Sequence, residues 1–293
     1  MQVASNGIML EVEQRGPQDG TPLLLVMGLG MQLTAWPEPF VDALAERGYR
    51  VILFDNRDIG LSTKFDSWGR ANLPAASWRY MLRMPVHTPY LLDDMANDAF
   101  GLLDAVGVER CHVVGASMGG MIAQLMAARR PERLRSLTLM MTTSGSRRMP
   151  GPTIKARAAL LSRPANPNDL ESVIDNTARL LGVIGSPGFP ADPELLHERL
   201  SRNIRRSYHP QGMARQLTAV MASGDRTRLL ARITAPTLVI HGREDPLVPV
   251  VCGVELARRI PGAKLEVIDG MGHDLPGELI PGFVSSISAH SPL

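Results

Sequence analysis

Short runs of apolar residues alternate with stretches of helical periodicity along most of the chain. A buried strand of a parallel sheet is a short continuous apolar run, because helices cover both of its faces. Leu23 to Met27 and Thr237 to His241 are runs of this kind. Between such runs, apolar residues recur every three or four positions, as on the buried face of a helix. The alternation predicts an α/β protein with a mostly parallel central sheet flanked by helices.

The individual elements follow from these two patterns. Strands are expected at Leu23 to Met27, Val51 to Asp55, His112 to Gly115, Ser136 to Met140, Thr237 to His241 and Lys264 to Ile268. Helices are expected at Pro37 to Arg47, Asp93 to Val106, Met118 to Arg129 and Val250 to Ile260. Residues 8 to 15 alternate apolar and polar side chains, which predicts a leading antiparallel strand.

Two segments interrupt this alternation. Residues 62 to 92 form a connection that is unusually long for a compact domain, so it is either functional or partly helical. Residues 144 to 227 contain no convincing strand, and Pro190 to Ser207 fits an amphipathic helix. We therefore expect a helical cap at 144–227, inserted between a first part of the core at 1–143 and a second part at 228–293.

Composition and charge narrow the class of protein further. The chain has 293 residues, of which 44% are hydrophobic and 20% charged, and its net charge of +2 argues against nucleic-acid binding. It shows neither a secretory signal nor an apolar run long enough to span a membrane. The two cysteines have no disulfide or zinc-site spacing. We expect a cytoplasmic protein without membrane association, as a monomer or homodimer.

The segment most informative about chemistry follows the apolar pair Val113-Val114. Gly115 to Gly120 has the sequence Gly-Ala-Ser-Met-Gly-Gly and precedes an amphipathic stretch. This order predicts a strand, a tight turn that carries Ser117, and a helix. A serine at such a turn is held in a strained conformation, with its hydroxyl projecting above the edge of the sheet. Ser117 is therefore the candidate nucleophile.

A serine hydroxyl needs a base within hydrogen-bond reach, and the base needs a third group to orient it. Two loops at predicted strand ends supply both groups. Asp245 follows Thr237 to His241, and His273 follows Lys264 to Ile268 in a glycine-flanked loop. Because successive parallel strands share one carboxyl edge, we expect both side chains to meet Ser117 there. The chain order Ser, Asp, His also matches that of hydrolases whose nucleophile lies on such a turn.

Four further polar residues near these loops and the second strand receive other assignments. Asp269 lies too close to the end of its strand to reach around the imidazole, and Asp274 is expected to interact with local backbone. His241 ends a strand, so we expect a hydrogen-bonded structural histidine there rather than a second base. Arg57 is expected to pair with a carboxylate as a structural anchor.

Backbone amides are expected to stabilise the oxyanion that forms when the serine attacks a carbonyl. One donor is the Met118 N–H, directly after the nucleophile. The second is expected from the loop after Leu23 to Met27, where Gly-Leu-Gly allows an exposed amide. We assign the Leu29 N–H, with Gly30 as the alternative.

Together these motifs resemble the α/β-hydrolase fold family, in its capped, esterase-like branch, over nearly the whole chain. Asp55 to Ser62 is similar to the family's Asp-x-Arg-Gly-x-Gly-x-Ser turn, with Asp58 where glycine is common. Met27-Gly28 stands where the family often has His-Gly, which alters the hydrogen bonding of that loop but retains its backbone donors. With Trp36-Pro37 downstream, the chain is also similar to the aclacinomycin-type polyketide methylesterases.

The resemblance implies a serine hydrolase that cleaves a carboxylic ester of an apolar small molecule through an acyl-enzyme, without metal or other cofactor. The same three residues would also serve a C–C bond hydrolase, a lactonase or a cofactor-free haloperoxidase, so these alternatives stay open. Some proteins of this fold are small-molecule receptors. A complete Ser117, Asp245 and His273 set argues against that class, because a receptor has no need of all three groups.

Overall fold

The computed structural model describes residues 1–293, which fold around one sheet of eight strands. The strands are β1 (Gln2–Ser5), β2 (Ile8–Arg15), β3 (Thr21–Val26), β4 (Tyr49–Phe54), β5 (Cys111–Ala116), β6 (Leu134–Met140), β7 (Thr237–Gly242) and β8 (Lys264–Ile268). Their order across the sheet is β1-β2-β4-β3-β5-β6-β7-β8. β2 pairs antiparallel with β1 and β4, and every other neighbouring pair is parallel. The predicted fold class is confirmed.

Eleven α-helices accompany the sheet. They are α1 (Glu38–Glu46), α2 (Leu73–Met81), α3 (Leu92–Ala105), α4 (Met118–Arg129), α5 (Ile154–Leu160), α6 (Leu170–Ile184), α7 (Pro193–Arg206), α8 (Pro210–Ser223), α9 (Thr227–Leu230), α10 (Val251–Arg259) and α11 (Ile280–His290). None of them combines the length and apolar character that a membrane span requires.

The continuous apolar runs in the central strands reflect burial on both faces. Along β3, Leu23 and Leu25 pack in a core cluster that includes residues of α1 and α11. The intervening Leu24 and Val26 pack in the opposite cluster, which includes residues of α3 and α4. Because side chains alternate between the two faces of a strand, burial on both sides requires an apolar residue at every position.

Before residue 144 and after β8, three strands or α-helices were not placed individually by the pattern. β1 is a four-residue edge strand, too short to show an alternation above chance. α2 accounts for part of the long connection at 62–92. Of the two expectations for this connection, function or partial helicity, the structure shows partial helicity. α11 is the third unpredicted element, and it covers one face of the sheet through Phe283, Val284 and Ile287.

Between β6 and β7 the chain forms helices and no strand, in agreement with the sequence pattern. The two connections of this segment to the sheet lie side by side, since the Arg226 N–H donates to the Ser144 carbonyl at 2.9 Å. The Arg226 guanidinium donates to the carbonyl oxygens of Thr143 and Gly224, at 3.1 and 3.0 Å. Burial lowers the pKa of Arg226 to about 10. The segment thus leaves and rejoins the sheet at one place.

Candidate active site

Ser117 lies between the last residue of β5 and the first residue of α4. Its backbone has φ 54° and ψ −119°, a conformation that costs a non-glycine residue about 1–3 kcal/mol. The flanking glycines allow the close packing that imposes it. A Cβ on Gly119 would lie 1.9 Å from the Val26 carbonyl oxygen, and one on Gly115 would lie 2.5 Å from the Gly119 carbonyl oxygen. The turn therefore has the strained geometry that the sequence predicts.

The structure brings Ser117, Asp245 and His273 together from three strand ends. The Nε2 atom of His273 lies 3.0 Å from Ser117 Oγ, and its Nδ1 atom lies 2.7 Å from Asp245 Oδ2. Both separations are within hydrogen-bond range. A proton on Nδ1, donated to the carboxylate, leaves Nε2 as the acceptor for the serine hydroxyl.

Asp245 is buried, yet its surroundings favour the ionised form. Burial raises its pKa, but the charge of His273, hydrogen bonds from His273 and the Val248 N–H, and the nearby His241 ring outweigh burial and lower that pKa to about 2. Its Oδ1 atom accepts from the backbone N–H groups of Leu247 and Val248, at 2.9 and 2.8 Å. Asp245 is therefore a fixed anion at neutral pH.

The other candidate carboxylates are engaged elsewhere. Asp269 is exposed and forms an ion pair with Arg243. Asp274 accepts a hydrogen bond from the hydroxyl of Ser186, and burial raises its pKa. Neither forms a hydrogen bond to the His273 ring, so Asp245 is the carboxylate that orients it.

His241 is fully buried beside the carboxylate. Its Nε2 atom donates to the Val248 carbonyl oxygen at 2.7 Å and lies 3.6 Å from Asp245 Oδ2. Its Nδ1 atom has no hydrogen-bond partner. His241 is thus the structural histidine that the sequence predicts, although only one of its two ring nitrogens is satisfied.

The loop after β3 lies against the serine. A Cβ on Gly28 would lie only 3.1 Å from Ser117 Cβ. The Leu29 N–H has no hydrogen-bond partner, whereas the Gly30 N–H donates to the side chain of Gln216 at 2.9 Å. The Met118 N–H belongs to the first residue of α4, so no carbonyl of its own helix can accept it. Two unengaged amides therefore lie in the segments on either side of Ser117.

The turn after β4 shows why an aspartate occupies the position of a family glycine. Asp58 has φ 73° and is fully buried, where it forms a bidentate ion pair with Arg215 of α8 at 2.6 and 2.7 Å. The Tyr90 hydroxyl also donates to this carboxylate, at 2.8 Å. The neighbouring Arg57 forms a buried bidentate pair with Asp98, which confirms its expected role as an anchor.

Asp58, Asp66 and His209 place their ligand atoms close enough together to suggest a cation site. The guanidinium of Arg215 already lies among them. Its Nη2 atom is 2.7 Å from Asp58 Oδ1, 2.9 Å from Asp66 Oδ1 and 3.0 Å from His209 Nε2. The cluster is an ion-pair network around an arginine rather than a set of free metal ligands.

The loop that carries His273 is held by the end of α6. The His273 N–H donates to the Ile184 carbonyl oxygen at 2.7 Å, and the Gly272 N–H donates to Ser186 Oγ at 2.8 Å. Sequence reasoning missed Ser186, Arg215 and Gln216, because none of them lies in a motif and each acts on a loop far away in the chain. Their only sequence signal is a polar residue on an otherwise apolar helix face or at a helix end.

The chain belongs to the alpha/beta hydrolase fold family, whose profile matches residues 21–278. It is a hydrolase of this family. It is 30% identical to the rhodomycin D methylesterase of Streptomyces sp. strain C5 over 99% of this chain and 97% of the relative. It is 33% identical to a 2-hydroxy-6-oxononadienedioate/2-hydroxy-6-oxononatrienedioate hydrolase of Burkholderia vietnamiensis, over 92% and 87% of the two chains. The structure superimposes on a meta-cleavage product hydrolase of Pseudomonas fluorescens with a TM-score of 0.74 and 22% identity, over 99% and 96%.

Proposed function

We propose that this protein is a serine esterase that hydrolyses a carboxylic ester through an acyl-enzyme intermediate. The observation that carries the proposal is the continuous hydrogen-bonded row from Ser117 through His273 to Asp245, at 3.0 and 2.7 Å. A nucleophile, a base and an orienting carboxylate in that geometry perform acyl transfer on several unrelated folds.

In the proposed reaction, Ser117 Oγ attacks the ester carbonyl while His273 Nε2 takes its proton. The charge of Asp245 stabilises the imidazolium that forms. The N–H groups of Leu29 and Met118 donate to the oxyanion of the tetrahedral intermediate, each contributing about 2.7–4 kcal/mol by comparison with other enzymes. His273 then protonates the leaving alcohol oxygen, and a water molecule releases the acyl group from Ser117 by the same steps.

The proposed substrate is an apolar small-molecule ester, with a methyl ester as the first candidate. Support comes from the full-length similarity to a rhodomycin D methylesterase. We further propose that the helices of residues 144–227 form a cap over the site, on a core made of 1–143 and 228–293. The Gly30 and Gly272 N–H groups donate to side chains of this segment, which supports a position of the cap above the carboxyl edge of the sheet. The assembly state we propose is a monomer or homodimer.

The test is a series of p-nitrophenyl esters, from acetate to long acyl chains, with wild type and Ser117→Ala measured in parallel. We expect a burst of p-nitrophenol followed by turnover in wild type, and neither in Ser117→Ala. The chain-length preference would then report the size of the acyl site. Equal rates for the two proteins, or no turnover of any ester by wild type, would refute the assignment.

Hydrolysis of a C–C bond is the second candidate, favoured by the 33% identity to a hydrolase of 2-hydroxy-6-oxononadienedioate. The same serine, histidine and aspartate serve both reactions, so the substrate decides between them. Rates measured with that dienedioate and with the p-nitrophenyl esters, at matched concentrations, distinguish the two reactions. If kcat/KM is at least about 100-fold higher for the dienedioate than for the esters, C–C hydrolysis becomes the assigned reaction, because that ratio corresponds to about 2.7 kcal/mol of transition-state binding.

A further inference from the structure

The loop beside the nucleophile is held by a glutamine from the segment between β6 and β7. Gln216 lies on α8 and is fully buried. Its Oε1 atom accepts from the Gly30 N–H at 2.9 Å, and its Nε2 atom donates to the Arg57 carbonyl oxygen at 2.8 Å. Because the first partner is a donor and the second an acceptor, only one orientation of the amide satisfies both.

This hydrogen bond determines which amide of the loop is left unengaged. Two N–H groups of the Gly-Leu-Gly loop are candidates for the oxyanion, those of Leu29 and Gly30. Gln216 engages the Gly30 N–H, and the Leu29 N–H has no partner. The loop lies directly on the nucleophile, since a Cβ on Gly28 would approach Ser117 Cβ to 3.1 Å.

Gln216 is held close to the core by two residues that precede it on α8. The preceding residue, Arg215, forms the buried bidentate pair with Asp58. Met213, one turn earlier, packs so closely on Gly30 that a Cβ there would lie 2.8 Å from its Cγ. The start of the loop is held from another element, because Asn56 Nδ2 donates to the Met27 carbonyl oxygen at 3.0 Å. α8 and the loop are therefore joined by a hydrogen bond and by close packing.

We propose that Gln216 is a positioning residue for the oxyanion hole: by engaging the Gly30 N–H, it orients the loop so that the Leu29 N–H donates to the oxyanion. The inference rests on the proposed esterase function and adds a residue from outside the motifs to that site. Preorganised donors stabilise a transition state because they need no reorientation as charge develops. Without the Gln216 acceptor, the Gly30 N–H can form a different hydrogen bond. The adjacent peptide, which carries the Leu29 N–H, can then rotate with it.

The first test compares Gln216→Met with Gln124→Met. Both glutamines are buried on helices, donate to a backbone carbonyl and accept at Oε1, but the partners of Gln124 are Thr143 and Arg226 rather than the loop. We expect Gln216→Met to lower kcat at least about 10-fold, with KM within about 2-fold, because part of a donor worth 10²–10³ in kcat is lost. Its affinity for an alkyl boronic acid, which forms a tetrahedral adduct on Ser117, should fall in the same proportion. Gln124→Met should retain the wild-type values.

Two results would overturn the proposal: wild-type kcat and boronate affinity in folded Gln216→Met, or equal losses in Gln124→Met. The far-UV circular dichroism and melting temperature of both variants establish that they are folded. Failure of the proposed role of Gln216 is distinguishable from failure of the proposed esterase function. The latter would show as equal ester hydrolysis by wild type and Ser117→Ala.

A second test uses wild-type protein and so does not depend on whether a variant folds. Backbone amide resonances are compared before and after addition of the boronic acid. We expect the Leu29 and Met118 protons to move downfield as they bond to the boronate oxygen. The Gly30 proton should move much less, because its hydrogen bond to Gln216 is unchanged. A downfield shift of Gly30 with none at Leu29 would refute the assignment.

Discussion

Ser117 is directed toward His273 by its backbone rather than by a hydrogen bond of its own side chain to the turn. At φ 54° and ψ −119° its Cα–Cβ bond has an orientation that an extended strand or a helix would not give it. Gly115 and Gly119 make this conformation sterically possible, because carbonyl oxygens occupy the space of their missing side chains. The conformation of Ser117 therefore depends on the glycines at 115 and 119.

Asp245 is buried and hydrogen-bonded to His273, whereas Asp269 is exposed and paired with Arg243. Asp245→Asn should lower kcat about 10⁴-fold, because an amide at that position favours the wrong imidazole tautomer and no longer stabilises the imidazolium. The measurement is steady-state ester hydrolysis at pH 8, in parallel with Asp269→Asn.

Asp269→Asn is the matched control, because Asp269 lies in the loop of His273 and forms an exposed ion pair with Arg243, which lies in the loop of Asp245. We expect it to keep kcat within about 2-fold, since exposed pairs contribute little. Similar losses in the two variants would mean that Asp245 acts through the stability of the loop instead of through His273.

At the scale of elements, the fold and the meeting of Ser117, Asp245 and His273 were predictable, because each depends on a local pattern. The central strands are apolar at every position, and Ser117, Asp245 and His273 each follow such a strand. The parallel sheet then places all three at one edge.

Gln216 and Ser186 were not predictable in the same way. Their partners, Gly30 and Gly272, are backbone amides 186 and 86 residues away in the chain. Hydrogen bonds to backbone require no particular residue type in the partner, so they leave no paired signal in a single sequence. The helices of residues 144–227 therefore contribute to the site in a way that only the structure shows.

Ser186 offers a test of that contribution at the His273 loop. Ser186→Ala removes the acceptor of the Gly272 N–H and the donor to Asp274. A buried N–H without a partner costs about 1–3 kcal/mol, so we expect a lower urea midpoint and, because the loop carries His273, a kcat reduced about 10-fold.

Ser162→Ala is the control, since the Ser162 hydroxyl is exposed and bonds only to Ala159 and Asn176. It should leave both kcat and the midpoint unchanged. A Ser186→Ala protein with wild-type kcat would show that His273 is positioned independently of the Ser186 hydroxyl.

At the scale of the whole molecule, His112 connects β5, the strand that precedes Ser117, with the last residues of the chain. Its Nδ1 atom lies 2.7 Å from Ser136 Oγ on β6, and its Nε2 atom donates to the Pro292 carbonyl oxygen at 3.1 Å. Ser136 Oγ in turn lies 2.7 Å from Ser291 Oγ. Burial, opposed in part by the Pro292 hydrogen bond and assisted by the charges of Arg135 and His290, lowers the pKa of His112 to about 4.

The lowered pKa of His112 makes the free energy of unfolding pH-dependent. Between pH 6.5 and 4 the unfolded chain binds a proton at this histidine and the folded chain does not, so stability falls as the pH is lowered through that window. Above pH 6.5 His112 is neutral in both states, and its contribution to the free energy of unfolding is constant.

We expect urea midpoints of wild type to decline from pH 7 to pH 4.5. His112→Gln, which stays neutral throughout, should decline less, even if its stability at pH 7 is lower. His209 and His290 also have lowered pKa values and are present in both proteins, so the difference between the two curves isolates His112. Parallel curves would show that His112 does not couple proton binding to the packing of the chain's end against β5 and β6.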